Sequence, residues 1–473
     1  MRKAVALLAC STLLAFAVGG CATTAAPELR QSATESAEAR ADQVAHDALL
    51  SGPFAGMSIA VSQNGRIIYQ KGFGKADVET GRAVTAETRF PIGSITKPIT
   101  CRAVQALAAE GKIDTDAPVS RYLPNLRSPA RDVPVRNLLD HSSGIENYLE
   151  LPDFPYDKPV GLSREQMTQF FDAQPLRAPT GERFSYSNSN TYLLGLIIEA
   201  VSRDYYDRFV ARHVFAPLAM THSDFLADAS SEADRALGYN SNGSRFTRAR
   251  GYDWLVPFSA GAAVSTTADL IRFSDAEFSA KTPKALRKRL MARQRLGDGE
   301  LSLYTQGCLV EGRLGGMRKF SHSGSIYGFS SHMAHYPDQH LSVVVLTNSQ
   351  GENYPPVNVS NRIARIFLGQ PAPVLKDVSA DPVALDSIKG DYDVGHRRLG
   401  IDRLGFDFKD GQLQMIYGGV HSGAPPLPLR SLGNGLFVSP IDDEQFFQFD
   451  SSGGNIKLTL TYYDGVMPFH KQQ

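Results

Sequence analysis

The pattern of apolar residues changes near positions 368–381, and this change constrains the fold more than any other feature of the sequence. Beyond it, short apolar runs alternate with turn dipeptides such as Asp410-Gly411 and Asn434-Gly435, a spacing typical of an all-β barrel or sandwich. Before it, apolar residues recur at helical spacing, with alternating stretches typical of strands between them. We therefore predict an α+β domain over residues 38–370 and a small C-terminal all-β domain over residues 383–473.

One hairpin and one helix stand out in the α+β domain. Apolar residues alternate over 57–61 and 67–69, on either side of Asn64-Gly65, and this dipeptide favours the positive φ angles of a type I′ turn. Residues 94–111 carry apolar side chains at helical spacing, and most of the remaining positions are small. We predict that this helix is buried.

The first residues of the chain predict export. Arg2 and Lys3 precede an apolar run over 4–18, which is shorter than the roughly 20 residues that cross a bilayer as a helix. The run ends in Val18-Gly19-Gly20-Cys21, which resembles the lipobox of bacterial lipoproteins, where the cysteine is lipidated and becomes the N-terminus. We predict a signal peptide over 1–20, then a lipidated Cys21 and a tether over 21–37. The alternative is ordinary cleavage nearby, with Cys21 incidental; both place the mature protein outside the cytoplasm.

Composition excludes several classes of protein. The 49 Lys and Arg residues balance the 49 Asp and Glu residues, so no overall field would attract nucleic acid, and we predict no such partner. The 42% hydrophobic and 21% charged content is that of a soluble globular protein. Four cysteines are too few for a disulfide framework. We expect Cys101 and Cys308 to be buried free thiols, although export leaves a disulfide open.

Ser94 and Lys97 are the first candidates for chemistry. Three residues apart on the predicted helix, their side chains lie on one face. Burial would lower the pKa of the Lys97 amine, because desolvation penalises the ammonium, and the amine could then exchange a proton with Ser94. At the start of the helix, the backbone N–H of Ser94 would face a developing oxyanion. Alone the pair is a weak signal, since a serine and a lysine on the surface fit it equally well.

The segment Phe90-Pro91-Ile92-Gly93-Ser94-Ile95-Thr96-Lys97 resembles the nucleophile motif of the β-lactamase-related serine hydrolases. This group contains class C β-lactamases, D-alanyl-D-alanine carboxypeptidases, D-aminopeptidases and family VIII esterases. The resemblance spans roughly residues 45–367 and implies a β-lactamase/transpeptidase-like antiparallel sheet flanked by helices, with an adjoining helical region. Five further segments match in family order: 57–74, 135–144, 179–188, 217–220 and 260–266.

The resemblance also implies roles for individual residues. Ser94 would be the nucleophile. Tyr186, in the Tyr-x-Asn form of the second motif, would share a proton with Lys97, act as base toward Ser94 and later act as acid toward the leaving group. Asn188 would donate its amide to the acyl carbonyl of the substrate and help to orient Lys97. No cofactor and no metal are needed. His332 and His335 are not expected to form a metal site, because an odd spacing places them on opposite faces of a strand.

The third motif departs from the β-lactamase pattern. In place of Lys-Thr-Gly the chain has His322-Ser323-Gly324, followed by Ser325. A histidine with the ordinary pKa of about 6.5 is only partly charged at neutral pH, so recognition of a substrate carboxylate is in doubt. The backbone N–H of Ser325 would complete the oxyanion hole with that of Ser94. The alternative for His322 is a structural histidine.

The expected function is that of a serine hydrolase acting through an acyl-enzyme on a short-acyl ester or a D-amino-acid peptide in the cell envelope. The expected partners are a small-molecule or short-peptide substrate and, through the lipid anchor, the membrane. The expected location is the periplasmic face of the bacterial outer membrane. Two alternatives stay open: a β-lactamase or D-Ala-D-Ala carboxypeptidase, and a non-catalytic protein that binds peptidoglycan peptides.

Overall fold

Helices and strands are interspersed up to residue 367, and beyond it long strands dominate. The computed structural model describes most of the chain from Ser36 onward. No helix among the described residues has both the length and the apolar character to cross a membrane. The described residues are 36–51, 54–155, 161–225, 234–242, 245–250, 255–297, 299, 301–350, 356–372, 375–379, 386–398, 401–409, 411–439, 445–451, 456–462 and 465–472.

The helices lie almost entirely in the first part of the chain. They are α1 (Ala37–Ser51), α2 (Thr96–Ala109), α3 (Val135–Leu139), α4 (Arg164–Asp172), α5 (Asn188–Ser202), α6 (Tyr206–Val210), α7 (Phe258–Gly261), α8 (Thr267–Phe278), α9 (Lys284–Leu290) and α10 (Pro356–Phe367).

The strands occur in two groups. Those before residue 370 are β1 (Gly56–Gln63), β2 (Arg66–Gly74), β3 (Phe90–Pro91), β4 (Asp224–Phe225), β5 (Tyr239–Ser241), β6 (Phe246–Arg248), β7 (Ala263–Ser265), β8 (Val310–Leu314), β9 (Met317–Ile326), β10 (Phe329–Tyr336), β11 (Leu341–Thr347) and β12 (Ser349–Gln350). Those after it are β13 (Gly390–Arg398), β14 (Ile401–Lys409), β15 (Gln412–Tyr417), β16 (Leu427–Pro428), β17 (Arg430–Gly433), β18 (Leu436–Val438), β19 (Phe446–Asp450), β20 (Lys457–Tyr462) and β21 (Gly465–Lys471).

The main sheet has six antiparallel strands in the order β2-β1-β11-β10-β9-β8. Its first hairpin confirms the prediction from sequence, because β1 and β2 pair around Asn64 (φ 54°) and Gly65 (φ 75°). Both angles are positive, as a type I′ turn requires. The antiparallel sheet flanked by helices is the architecture that the family resemblance implies.

Helices cover both faces of this sheet. On one face, Val343 and Val345 of β11 pack in a cluster with residues of α1 and α10. On the other, Val344 and Leu346 belong to the larger core, which contains α2 and α5. Side chains alternate between the two faces of a strand, so burial of both faces explains why β11 is an almost continuous apolar run.

Helix α2 crosses the centre of the larger core. The predicted helix over 94–111 is confirmed in outline: a 3₁₀ turn, Gly93–Ile95, leads into α2. Residues around almost the whole circumference of α2 are buried, as its apolar and small side chains predict. Lys97 on its first turn is therefore enclosed by protein.

Cys101 of α2 is joined to Cys308 by a disulfide. The expectation of two free thiols is therefore wrong. The two residues are 207 positions apart in sequence, and their Cα atoms lie 5.9 Å apart. Only the packing of α2 against the segment before β8 brings them together, and periodicity within either segment carries no information about that contact.

The C-terminal strands form a nine-stranded antiparallel sheet in the order β16-β15-β14-β13-β21-β20-β19-β18-β17, which curves into a nearly closed barrel. Its interior is filled by apolar and aromatic side chains, including Tyr392, Phe406, Phe447 and Phe449. The prediction of a small all-β domain is confirmed.

Candidate active site

Ser94 lies in the 3₁₀ turn just before α2, and strand β9 packs directly on this turn. A Cβ atom on Gly93, which has φ +52°, would lie 2.9 Å from the backbone nitrogen of Ser325. A Cβ atom on Gly324 would lie 2.0 Å from the carbonyl oxygen of Ile92. Both positions therefore need glycine. This close approach brings the backbone of Ser325 beside the turn that carries Ser94.

Lys97 is completely buried, and three groups surround its amine. Nζ lies 3.1 Å from Ser94 Oγ, 2.8 Å from Asn188 Oδ1 and 2.8 Å from the carbonyl oxygen of Ala260. Burial lowers the pKa of the amine well below its ordinary value. A neutral amine has two hydrogens and one lone pair. In that neutral form the amide and carbonyl oxygens, which can only accept, would take the two hydrogens, and the lone pair would face Ser94.

Tyr186 contacts the same serine from another side. Its hydroxyl lies 2.9 Å from Ser94 Oγ, and Lys97 Nζ lies over its ring, 4.9 Å from the centroid. Burial raises the pKa of the phenol above its ordinary value, which disfavours the phenolate. The phenol therefore donates to Ser94 Oγ, and the hydrogen of Ser94 can be directed at the neutral form of the amine.

Asn188 is the first residue of α5, and its amide orientation is fixed from both ends. Oδ1 accepts from Lys97, while Nδ2 and the backbone N–H both donate to Asn147 Oδ1, each at 3.2 Å. Asn147 in turn donates to Glu150 Oε1 at 3.0 Å. One hydrogen of the Asn188 amide nitrogen remains, so the nitrogen could also donate to a substrate carbonyl.

His322 is buried, and both of its ring nitrogens have partners. Nδ1 lies 2.6 Å from the carbonyl oxygen of Ser323, and Nε2 lies 2.7 Å from the hydroxyl of Tyr304. A carbonyl cannot donate, so Nδ1 carries the proton and Nε2 accepts from Tyr304. Burial lowers the pKa of His322 to about 3. The expectation of a partly charged imidazole at neutral pH is therefore wrong.

The structure brings together Ser94, Lys97, Tyr186, Asn188 and His322, and the backbone that follows His322. The Ser323 carbonyl accepts from the His322 imidazole, Gly324 allows the close approach to Ile92, and Ser325 Oγ accepts from Gln350 Nε2 at 3.0 Å.

Cys21, the predicted lipidation site, lies outside the described residues. The described residues contain no group of three His, Cys, Asp or Glu side chains suited to a metal.

Sequence reasoning missed three residues of the site. Tyr304 had no local signal, because its contact with His322 depends on the fold. Asn147 follows closely after the 135–144 segment, and His141 lies within it. Their position in a matching segment was a usable signal, but no role was assigned to either residue.

Known proteins resemble this chain in sequence and in fold. The Beta-lactamase family model matches residues 37–365. Protein flp of Staphylococcus aureus is 27% identical over 331 residues, which cover 68% of this chain and 65% of the relative. The chain therefore matches slightly less than two thirds of that relative's length.

Two solved structures share the fold. The octameric penicillin-binding protein homologue from Pyrococcus abyssi has a TM-score of 0.62 and 24% identity, and the match covers 91% of this chain and 99% of that one. The D-amino acid amidase from Ochrobactrum anthropi, complexed with D-phenylalanine, has a TM-score of 0.61 and 21% identity, covering 70% of this chain and 98% of that one. At these identities the likeness is one of fold.

Proposed function

This chain belongs to the Beta-lactamase family, and from that premise we propose that it hydrolyses an ester or amide through an acyl-enzyme on Ser94. One observation carries the proposal: the buried amine of Lys97 has acceptors on two sides and Ser94 Oγ, 3.1 Å away, on the third. A neutral amine held in this way is a base aimed at a hydroxyl.

In the first step Lys97 takes the proton of Ser94, and Oγ forms a bond to the substrate carbonyl carbon. Negative charge then develops on the carbonyl oxygen. The backbone N–H groups of Ser94 and Ser325 are the proposed donors to it, because strand β9 packs against the turn that carries Ser94.

Breakdown of the tetrahedral intermediate needs a proton for the leaving group. Tyr186 is the proposed donor, because its phenol stays protonated and its hydroxyl lies 2.9 Å from Ser94 Oγ. The phenol then recovers a proton from the Lys97 ammonium. Overall the proton of Ser94 has moved to the leaving group, and water releases the acyl group by the same steps in reverse.

The third motif favours substrates without a carboxylate next to the reacting bond. His322 is neutral at physiological pH, and its two nitrogens are occupied by Ser323 and Tyr304. It therefore offers a carboxylate neither a charge nor a free donor. For this reason we rank short-acyl esters and D-amino-acid amides or peptides above β-lactams and D-Ala-D-Ala peptides. The shared fold of a D-amino acid amidase is consistent with this ranking.

Covalent labelling tests the proposal. The protein is incubated with a fluorophosphonate or with penicillin, and its mass is measured. In a separate assay we follow the hydrolysis of p-nitrophenyl butyrate, D-amino-acid p-nitroanilides and a chromogenic cephalosporin. We expect a fluorophosphonate adduct on Ser94 and no adduct in Ser94→Ala. The rate of ester or p-nitroanilide hydrolysis should fall as the pH drops through the lowered pKa of Lys97, because the protonated amine cannot act as a base. A folded protein that gains no adduct would be a binding protein. Rapid cephalosporin turnover would overturn the substrate ranking.

We also propose that the protein is a lipoprotein of the cell envelope, based on the Val18-Gly19-Gly20-Cys21 sequence. Expression in a Gram-negative host, with mass spectrometry of the N-terminal peptide, tests this. The expected peptide begins at a lipid-modified Cys21, and Cys21→Ser should abolish the modification. An unmodified peptide that begins after Ala22 or Ala25 would contradict it.

A further inference from the structure

His141 holds the chain on both sides of Tyr186. Its carbonyl oxygen accepts from the backbone N–H of Ser185 at 2.7 Å, and its ring Nδ1 accepts from the backbone N–H of Ser187 at 3.1 Å. The two donors are the residues immediately before and after Tyr186. One residue therefore fixes the backbone at both neighbours of the phenol.

The His141 ring also packs against the Tyr186 ring. The two are stacked, with centroids 4.7 Å apart and an interplanar angle of 27°. The imidazole also meets Tyr304 edge to face, with centroids 5.0 Å apart at 89°. Because a phenol hydroxyl moves with its ring, a ring held in this way keeps the hydroxyl at a fixed place.

The backbone of His141 adopts a conformation that few residues other than glycine take. Its φ is +59°, in the left-handed region, and the residue is completely buried. Such a conformation persists where the surroundings require it, and it is often found at active sites. Here the left-handed turn after α3 directs both the carbonyl and the ring of His141 toward Tyr186.

The imidazole is neutral and has one defined tautomer. Nδ1 accepts from Ser187, so the proton is on Nε2. Burial lowers the pKa of His141 well below its usual range. The ring therefore serves as a fixed acceptor and a stacking surface.

We infer that His141 is a positioning residue, which keeps the hydroxyl of Tyr186 on Ser94 Oγ. This inference rests on the proposed hydrolase function. It assigns a role to a residue that does not itself contact Ser94. Among the contacts that the structure describes, the Tyr186 hydroxyl has one hydrogen bond, to Ser94, so the packing of the ring determines where that hydroxyl lies.

Two substitutions separate the hydrogen bond that the imidazole accepts from Ser187 from its stacking on Tyr186. His141→Asn tolerates the left-handed backbone and offers Oδ1 to the Ser187 N–H, but it removes the stacked ring. His141→Phe keeps a ring and removes the acceptor. The matched control is His335→Asn, because His335 is also buried, stacks on Phe278 with centroids 4.1 Å apart, and contacts Ser342. It lies on β10, which carries no residue of the proposed mechanism.

The main readout is kcat and KM for p-nitrophenyl butyrate, with the melting temperature of each variant. A positioned proton donor contributes about 10²–10⁴-fold to the rate, so we expect kcat to fall by about tenfold or more in both variants. KM should change by less than about threefold. The control should lower the melting temperature and leave kcat near the wild-type value.

A pH profile provides a readout that loss of stability would not move. Tyr186 faces Ser94, Lys97, His141 and Tyr304, and its phenol must stay protonated to act. Burial raises its pKa, so a loosened ring that admits water should have a lower pKa. The alkaline fall in activity should therefore move to lower pH in His141→Asn.

A double substitution decides between positioning and a general effect. If His141 acts through the phenol, His141→Asn in a Tyr186→Phe background should reduce kcat no further. Wild-type kcat in folded His141→Asn and His141→Phe would overturn the inference, as would fully additive losses in the double variant. If the Asn variant does not fold, the Phe variant alone decides. Failure of the wild type to label at Ser94 would instead overturn the proposed function.

Discussion

Removing the Cys101–Cys308 disulfide should destabilise the protein by up to about 5 kcal/mol. The disulfide closes a loop of 207 residues. A cross-link across 100 residues removes about 4.7 kcal/mol of chain entropy from the unfolded state, and each doubling of the loop adds about 0.6 kcal/mol. Total stabilities of folded domains are about 5–15 kcal/mol, so the loss would be a large fraction of the whole.

The site should respond as well, because both ends of the disulfide lie near it. Cys101 is one helical turn after Lys97 on α2, and Cys308 is four residues after Tyr304, whose hydroxyl contacts His322. A weaker connection between these segments would allow water to reach the amine. The neutral form of Lys97 depends on burial, so hydration would raise its pKa and lower the rate at neutral pH.

The assay compares mature Cys21→Ser protein with the same protein carrying Cys101→Ala and Cys308→Ala. Both proteins are expressed without residues 1–20, which contain Cys10, so the first holds only the two cysteines of interest. Urea unfolding and p-nitrophenyl butyrate hydrolysis are measured with and without reductant. We expect a lower unfolding midpoint in the double variant, and an effect of reductant only in the parent. Equal midpoints, or two free thiols in a non-reducing peptide map, would refute the reasoning.

Three further changes test the burial and packing around the site. The free energy of unfolding, measured in urea titrations, should fall between pH 7 and pH 5. In the unfolded chain His322 binds a proton near pH 6.5, whereas in the folded protein its pKa is about 3, so acid favours the unfolded state. A constant free energy of unfolding would contradict this. Tyr304→Phe leaves Nε2 of His322 buried without its donor, which should cost about 1–3 kcal/mol and lower the unfolding midpoint. Gly324→Ala places a Cβ atom 2.0 Å from the carbonyl oxygen of Ile92, so the turn that carries Ser94 must shift. Fluorophosphonate labelling of Ser94 should therefore slow more than tenfold.

The parts of the site that could be predicted from sequence are those set by local geometry. Ser94 and Lys97 lie three residues apart at the start of one buried helix, so their contact follows from helical spacing. The hairpin around Asn64-Gly65 follows equally from turn chemistry. Tyr186 and Asn188 were found only through their resemblance to a family motif, because the distance between two separate segments is not encoded in either segment.

The lowered pKa of Lys97 could be predicted from its apolar helix, but the protonation states of the histidines could not, because their burial depends on the fold. An isolated histidine is partly charged at neutral pH, and an isolated lysine is fully charged. In the structure His141 and His322 flank a buried amine, and the pKa of each of the three groups lies below its ordinary value, with burial as the largest cause. Any one of them, if charged, would make protonation of the other two harder. Burial is the reason why Lys97 can act as the proposed base. Because both histidines are neutral, neither repels the proton that the Lys97 amine would take from Ser94.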